Sequence, residues 1–573
     1  MRIAVAWDGR GAGLICRLGA DAVPAGPPER VTSLAAAVAE LERAESPRWV
    51  WASAARIYPS LVAAGVRVAS CHDVELTEAV LLGHEGRFGE QSSLDAAWAR
   101  LRGVAAAPAR AAQRDNGAQS ELFLVAGHDP ADLREELDAV VAVHADQLRR
   151  IAAAEHPRRL SLLAAAESAG GLAAAEMTAD GLPWRRDIHD ELLTELLGPR
   201  PAPGVRPPRL AELADAIRAA LHGRAVNPDS PAQLVKAFAA EGISLTSTRA
   251  HVLRAVDHPA VPLLLEYKEL ARLHAADGWG WLDTWVTDGR FHPEYVVGGV
   301  VSGRWASRGG GALQIPKVLR RAVIADPGWV LVVADAAQLE PRVLAALAGD
   351  RAFAQAAAAG DVYAALAGAL GGERDKAKVA LLSAMYGGAG GEAGQLLAVL
   401  RRRFPEAARY VDDAAAAGEE GRLVRSRLGR TCPPPSAKWR ELTGDGDDPR
   451  ASRVLRSRGR FTRNFVVQAS AADWAAVLLA SLRRRLAPAE YPPAGEPPAG
   501  EPRVGAPNGP DGRPRLVFFQ HDEVIVHSPA GAADEVVRAA GAAAEEAGRL
   551  VFGPGPVRFP LNVSVVTCYA DAK

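Results

Sequence analysis

Two short apolar runs, each meeting an acid, constrain this chain more than any other feature. Trp329-Val330-Leu331-Val332-Val333-Ala334 ends at Asp335, while Leu516-Val517-Phe518-Phe519-Gln520 and Val524-Ile525-Val526-His527 flank His521-Asp522-Glu523. Both are too short and too rich in β-branched and aromatic residues for long helices, so the first reads as a strand and the second as a β-hairpin. Asp335 and Asp522 lie far apart in the sequence. Only a fold that sets the strand end beside the hairpin can make them a pair. Taken singly, each has a plainer reading, because Asp is common where strands turn.

The 573 residues exceed what one hydrophobic core organises, which predicts three or four domains. A hydrophobic share of 49% with 24% charged residues fits packed cores and excludes global disorder. The opening Met1-Arg2-Ile3-Ala4-Val5-Ala6-Trp7-Asp8 has too short an apolar run for a signal peptide, and later segments read as broken by charge before they could span a membrane. A cytoplasmic location without a membrane partner is the expectation. Cys16, Cys71, Cys432 and Cys568 lack the paired spacing of a zinc site or disulfide framework and read as reduced thiols. A net charge of -1 means that any nucleic-acid contact must come from local basic surface. Candidates are the arginines between Arg450 and Arg463, Arg401 to Arg403, and Arg483 to Arg485, each as readily a solvated face as a phosphate contact.

Residues 1–150 alternate short apolar runs, such as Trp49-Val50-Trp51 and Leu122 to Ala126, with Ala-rich helical stretches, which suits one α/β unit. From 151 to 275 the pattern is nearly all helical, with a loop at Pro201, Pro203, Pro207 and Pro208 and a helix over Pro262 to Arg272. Helices dominate again from 340 to 485. The repeat Pro492 to Pro502 and its Gly/Pro-rich continuation to Pro514 read as a low-complexity surface loop.

Three segments carry a more specific signal. The first is Asp335-Ala336-Ala337-Gln338-Leu339-Glu340-Pro341-Arg342, the second Arg374 to Gly387 with Lys378, Leu382 and Tyr386 four residues apart, and the third Phe519-Gln520-His521-Asp522-Glu523. In this order they resemble the three polymerase motifs of the family A DNA polymerases, the bacterial DNA polymerase I type. Ser302-Gly303-Arg304, Gln314, and Arg460, Asn464 and Gln468 ahead of Ala471-Ala472-Asp473 add matches, as do Glu266-Tyr267-Lys268 and the closing Tyr569 to Lys573. The resemblance covers roughly residues 160–573. It implies an α/β multidomain fold: an RNase H-like, 3′-5′ exonuclease-type N-terminal domain (1–150), then a right-hand polymerase with thumb (160–290), palm (291–345 and 466–573) and fingers (346–465). No 5′-nuclease domain is expected ahead of residue 1.

The implied activity is template-directed addition of dNTPs to a primer 3′-end, in DNA repair or replication, by a monomer binding primer-template DNA. By the resemblance Asp335 and Asp522 hold two Mg²⁺ ions, for which Mn²⁺ can substitute, with Glu523, Lys378 and His521 supporting the reaction. Arg374, Lys378, Leu382, Tyr386, Glu340 and His521 meet the nucleotide, with Glu340 as the steric gate beside the sugar. Arg304, Gln314, Arg460, Asn464 and Gln468 meet the DNA. Physical chemistry supports the same residues: phosphoryl transfer depends on positioning and charge neutralisation, two ions clamp the attacking and leaving oxygens, and Mg²⁺ favours a few carboxylates completed by water and phosphate oxygens. Arg374 and Lys378 at i and i+4 share a helix face, which could equally be solvated and balanced by Glu373 and Asp375.

Departures matter too. Leu382 stands where the family has an aromatic, Ala336-Ala337 replaces Tyr-Ser, and Thr246 to Pro259 is short for a thumb tip. At the N-terminus, Asp8 lacks the Glu two residues later of the first exonuclease motif. Ile57 stands where the second-motif Asp belongs, and His144 and Asp146 do not make the third motif. Asp73, Glu75 and Glu78 read as a helix start. An inactive exonuclease unit is the expectation. Its alternatives are a bifunctional enzyme with active exonuclease, a nuclease working through residues 1–150, and a catalytically silent DNA-binding scaffold.

Overall fold

The apolar run before Asp335 forms the strand Trp329–Ala336, an inner strand of a four-stranded antiparallel sheet. This is a computed structural model describing residues 1–105, 130–308, 314–358, 360–368, 372–387, 398–399, 401–444, 450–487 and 512–572. The apolar run Leu122 to Ala126 and the repeat Pro492 to Pro502 lie outside the described residues. Across the sheet the order is Arg515–Gln520, Glu523–Pro529, Trp329–Ala336, Leu561–Val566. Side chains of a strand alternate between faces, and here both faces are covered. Leu331, Val333 and Ile525 enter one core; Val332, Ala334, Val524 and Val526 enter another. Burial on both sides is why these strands read as unbroken apolar runs and not as alternating ones. A register shift between Leu516 and Phe518 resets the parity of the hairpin's first strand, so Leu516 and Phe519 share a face.

The first core joins the sheet to the helices Arg186–Leu197, Pro208–Ala220, Pro231–Ala240 and Ala260–Asp277. Two of them open with a proline, whose missing N–H costs nothing in a first turn. The helix expected over Pro262 to Arg272 is longer, Ala260–Asp277, because its apolar spacing continues on both sides. The second core is organised by the helix Ala451–Leu486, flanked by Pro405–Glu419 and Ala533–Phe552. By length and composition Ala451–Leu486 could cross a membrane, which corrects the expectation that no segment qualifies. Its apolar window is 89% buried inside the protein, as in a core helix.

The N-terminal unit holds a five-stranded sheet ordered Glu29–Val31, Gly13–Leu18, Arg2–Trp7, Arg48–Trp51, Ser70–Asp73. Its first three strands are antiparallel, and the last two run parallel to Arg2–Trp7. Ile3, Val5, Trp49 and Trp51 face one core, Ala4, Ala6 and Val50 the other. The helix Pro157–Asp180 bridges the units: Leu172 lies in the N-terminal core, Leu163 and Met177 in that of the long helix.

The acids of this unit have structural employment. Asp8 closes the first hairpin by accepting from the N–H groups of Arg10 and Ala12. Asp73 caps the helix Val74–His84, accepting from Leu76 N–H at 2.9 Å and from Ala54 N–H at 2.7 Å. Buried Glu78 takes Arg100, Arg150 and Gln147. Ile57 is a fully buried apolar residue.

Beside this network His72 and His144 meet edge to face, ring centroids 4.3 Å apart, with His72 bonded to Gln147 at 2.8 Å. Burial pushes His72 down to about 4 and His144 to about 2, with Arg2 and Arg48 adding repulsion. The unfolded chain therefore takes up protons below the ordinary 6.5 that the folded chain refuses. The stabilisation is complete above that pH and is lost as pH falls toward 4, by up to about 2 kcal/mol per histidine at pH 5. Asp73, raised to about 7 by burial, works in the opposite direction. Comparing wild type with His144→Leu isolates the histidine: thermal unfolding of the variant between pH 7 and pH 5 is expected to decline less steeply, and parallel slopes would refute the assignment.

Candidate active site

Antiparallel pairing joins the two acidic strand ends. Asp335 stands opposite Glu523 on one side and Asn562 on the other, and Ala336 N–H donates to the Asp522 carbonyl at 3.1 Å. His521 and Asp522 are the turn between the two hairpin strands. His521, at φ 57°, and Gln338, at φ 56° three residues past Asp335, both adopt the left-handed conformation. Such residues are uncommon outside glycine and concentrate where local geometry is over-determined by its surroundings. Behind the pair, buried Glu523 accepts a hydrogen bond from Tyr569, whose ring carries the Arg320 guanidinium at 4.4 Å. Burial and then the Glu523 charge raise the Tyr569 hydroxyl's pKa, so it remains a donor.

A cavity of about 200 Å³ opens at this edge, with Arg304, Gln338, Glu340, Tyr363, Leu382 and Asp522 among its walls. Glu340, the second residue of the helix Leu339–Ala348, accepts from Arg304 at 2.6 Å and from the Tyr386 hydroxyl. Tyr386 closes the helix Arg374–Tyr386, and Gly387 follows at φ 78°. A Cβ on Gly387 would sit 2.8 Å from Arg460 Cγ, so glycine serves both the left-handed cap and the close approach of that side chain. Gln468 bonds the same tyrosine. Arg460, Asn464 and Gln468 recur every fourth residue on Ala451–Leu486 and share the face that meets Tyr386 and Gly387, while Ala471 and Ala472 continue to the cavity. Burial, then Arg304, lowers the pKa of His521.

Not every residue singled out converges here. Gln314 is exposed and accepts from Arg272 at 3.4 Å, away from the cavity walls. Lys378 is exposed on the helix that carries Leu382 into the cavity. The arginine clusters divide: Arg483 packs largely enclosed against Glu176, Arg484 and Arg485 pair with Glu546, and Arg401 and Arg463 pair with Asp412. Arg453, Arg456 and Arg460 stay exposed.

Three neighbours of the site had no signal in the sequence. Tyr363, in the short helix Val362–Ala367, lines the cavity, and Asp361 just before that helix bonds Gln338 and Arg374; neither belongs to a motif. Arg430, one of several arginines in its stretch, holds Glu167 at 2.5 Å and Asp473 at 3.1 Å. Burial opposes its charge, yet the two carboxylates raise its pKa. Its side chain fills the space over Gly303, the residue before Arg304.

The architecture is that of a solved polymerase domain. The POL domain of Pol1 from M. smegmatis, in complex with DNA primer-template and dNTP, superposes with a TM-score of 0.69 over 99% of this chain and 95% of that one, at 19% identity. The DNA polymerase family A model matches residues 207–569, and the chain belongs to that family. Its relatives include the DNA polymerase I of Chloroflexus aurantiacus, 29% identical over 44% of this chain, and the thermostable DNA polymerase I of Thermus aquaticus, 26% identical over 56%. The chain aligns with 26% and 37% of their respective lengths, so it spans well under half of these relatives.

Gly303, at φ 85°, offers the sharpest structural test of this region. A Cβ there would lie 2.2 Å from Arg430 Nε. Gly303→Ala is expected to cost roughly 1–3 kcal/mol from backbone strain, before any displacement of Arg430. Urea unfolding measures it, and an unchanged midpoint would show that the turn does not lean on Arg430.

Proposed function

We propose that this chain is a template-directed DNA polymerase that adds dNTPs to a primer 3′-end and releases pyrophosphate. The observation that supports the reading is the hydrogen bond from Ala336 N–H to the Asp522 carbonyl, which joins the strand of Asp335 to the turn of Asp522, itself one wall of the cavity. Two hard carboxylates at adjoining strand ends suit Mg²⁺ or Mn²⁺, leaving most coordination positions to water and phosphate oxygens. When bound there, a pair of divalent ions supplies charge neutralisation for the attacking and leaving oxygens. Glu523, held by Tyr569, and His521 support the turn that presents Asp522.

The chain's own residues would do the rest. Arg374 and Lys378 on the exposed helix face would meet the triphosphate, and Tyr386 the nascent base pair. Leu382 and Glu340 would border the sugar, with Glu340 fixed by Arg304 and Tyr386 where a ribose 2′-hydroxyl would intrude. Arg304, Arg460, Asn464 and Gln468 would line the path of primer-template DNA, and Gln314 would touch it further out. In this reading residues 160–290 are the thumb, 291–345 and 466–573 the palm and 346–465 the fingers, in a monomer working in repair or replication.

Residues 1–150 are proposed to be an RNase H-like unit of exonuclease type that has lost its reaction. The support is the three-antiparallel, two-parallel strand arrangement together with acids already committed to turns, caps and arginine pairs. Cleavage by two metal ions needs carboxylates free to bind them.

Two assays test these readings. Asp335→Asn and Asp522→Asn are each expected to cut primer extension in Mg²⁺ by at least about 100-fold, with primer-template binding retained, because charge leaves a transition-state site and no DNA contact is removed. Extension by either purified variant near the wild-type rate would sink the central assignment. Separately, single-stranded DNA labelled at its 5′-end is expected to survive incubation in Mg²⁺ or Mn²⁺. Stepwise shortening that persists in Asp335→Asn and disappears in Asp73→Asn would establish an active exonuclease instead.

A further inference from the structure

Asp361 precedes the short helix Val362–Ala367 and bonds both Gln338, three residues past Asp335, and Arg374, the first residue of the helix Arg374–Tyr386. Its Oδ1 accepts from Gln338 Nε2 at 2.6 Å and from the N–H groups of Tyr363 at 2.8 Å and Ala364 at 3.1 Å. Its Oδ2 accepts from Arg374 Nε at 2.7 Å. Gln338 returns a bond, its Oε1 accepting from Val362 N–H at 2.8 Å. The carboxylate thus ties the left-handed residue after Asp335 to the first residue of the helix Arg374–Tyr386.

The mode of the Arg374 contact is what gives it meaning. Asp361 binds the inner Nε of the guanidinium, not its outer fork. The guanidinium lies over the Tyr363 ring, with Cζ 5.6 Å from the centroid, and its outer Nη1 is 3.9 Å from Asp375 Oδ1, beyond hydrogen-bond reach. A guanidinium held by Nε and an aromatic face keeps the direction of its Nη1 and Nη2 groups, the pair suited to two-pronged contact with a phosphate. Against a triphosphate, the cost of ordering a long, half-exposed arginine has then largely been met beforehand. Burial works to raise the Asp361 pKa, but Arg374 and the other donors carry it down to about 2, so the charge persists at any working pH.

We infer that Asp361 is a positioning residue for nucleotide binding: it aims the outer fork of Arg374 at the triphosphate of the incoming nucleotide and couples that aim to the strand of Asp335 through Gln338. The inference rests on the proposed polymerase reading, in which Arg374 meets the triphosphate. Asp361 itself touches no substrate.

The test uses the full chain with a dideoxy-terminated primer-template, so that dNTP affinity is read from the ternary complex without chemistry. Asp361→Asn keeps an Oδ1 acceptor for Gln338 and the helix N–H groups while removing the charge that holds Arg374. The Kd for the matching dNTP is expected to rise about three- to five-fold, with primer-template affinity unchanged. In an Arg374→Ala background the same substitution is expected to add nothing, because the group it aims has gone; a helix-capping role alone would persist there. On an extendable primer the effect is expected in KM, with kcat little altered. An unchanged Kd in Asp361→Asn, or an equal rise in both backgrounds, overturns the inference. If Arg374→Ala alone leaves the Kd unchanged, Arg374 does not meet the triphosphate and the inference falls with that assignment. A wild-type chain that forms no dNTP-dependent complex rejects the polymerase reading itself.

Discussion

Pairing between Trp329–Ala336 and Glu523–Pro529 is the constraint on which the rest depends, because it alone turns two acids distant in sequence into neighbours. A slip of one residue in this register would send Asp335 to the opposite face and exchange every apolar partner between two cores. Both cores therefore guard the site's geometry: Leu331 and Val333 cannot leave one without Val332 and Ala334 leaving the other. The acids need no dedicated scaffold of their own. Their placement is a by-product of burying the strands on both sides, and the fourth strand, Leu561–Val566, secures the far edge of Trp329–Ala336.

Three largely enclosed arginines tie the remaining pieces to this sheet, each in a different way. Arg430 joins Glu167 to Asp473 and leaves Gly303 no room for a side chain. Arg483 crosses from the long helix into the N-terminal unit, reaching both Glu176 oxygens and the Val68 and Ala69 carbonyls. Arg342 has carbonyls as its partners, at Ala337, Ala357, Gly360 and Arg558, and burial lowers its pKa. A buried ion pair adds little net stability against an apolar substitute, yet removing one partner strands the other charge in low dielectric. The consequence is specificity of arrangement: the long helix, the bridging helix Pro157–Asp180 and the turn before Arg304 have one satisfactory relative placement.

What could be read in the sequence follows from this division. The strand into Asp335, the hairpin around Asp522 and the helix from Arg374 to Tyr386 each combine a local pattern with a motif, and all three appear where the pattern places them. The convergence of Arg304, Glu340, Tyr386 and Gln468 required the fold, since nothing in the spacing of those residues says that Glu340 accepts from two of the others. Arg430 and Asp361 were illegible for a physical reason: their roles lie in what they face across elements, and a charge in a turn has the same local signature whether it is solvated or enclosed. The arginine clusters show the same ambiguity resolved, with Arg483 largely enclosed and paired with Glu176 while Arg453 and Arg456 of a similar run remain in solvent.

The fate of carboxylates separates the two halves of the molecule. In the N-terminal unit Asp8, Asp73 and Glu78 are consumed by backbone donors and arginines, so each is satisfied where it stands, and ligation would require breaking bonds that hold turns and helix starts together. At the edge of the central sheet Asp335 lies near the end of its strand and Asp522 in the hairpin turn, where it lines the cavity, with Glu523 and Tyr569 bonded to each other beside them. Asp361 is saturated by donors, and one of them is a half-exposed arginine that it holds at the inner nitrogen, while Asp375 Oδ1 lies 3.9 Å from the outer Nη1 group. In the proposed reading a carboxylate serves a reaction without meeting a metal or substrate, by fixing the direction of the cation that does. That is why the count of acids near a site is a poorer guide to chemistry than the atom through which each one is bound.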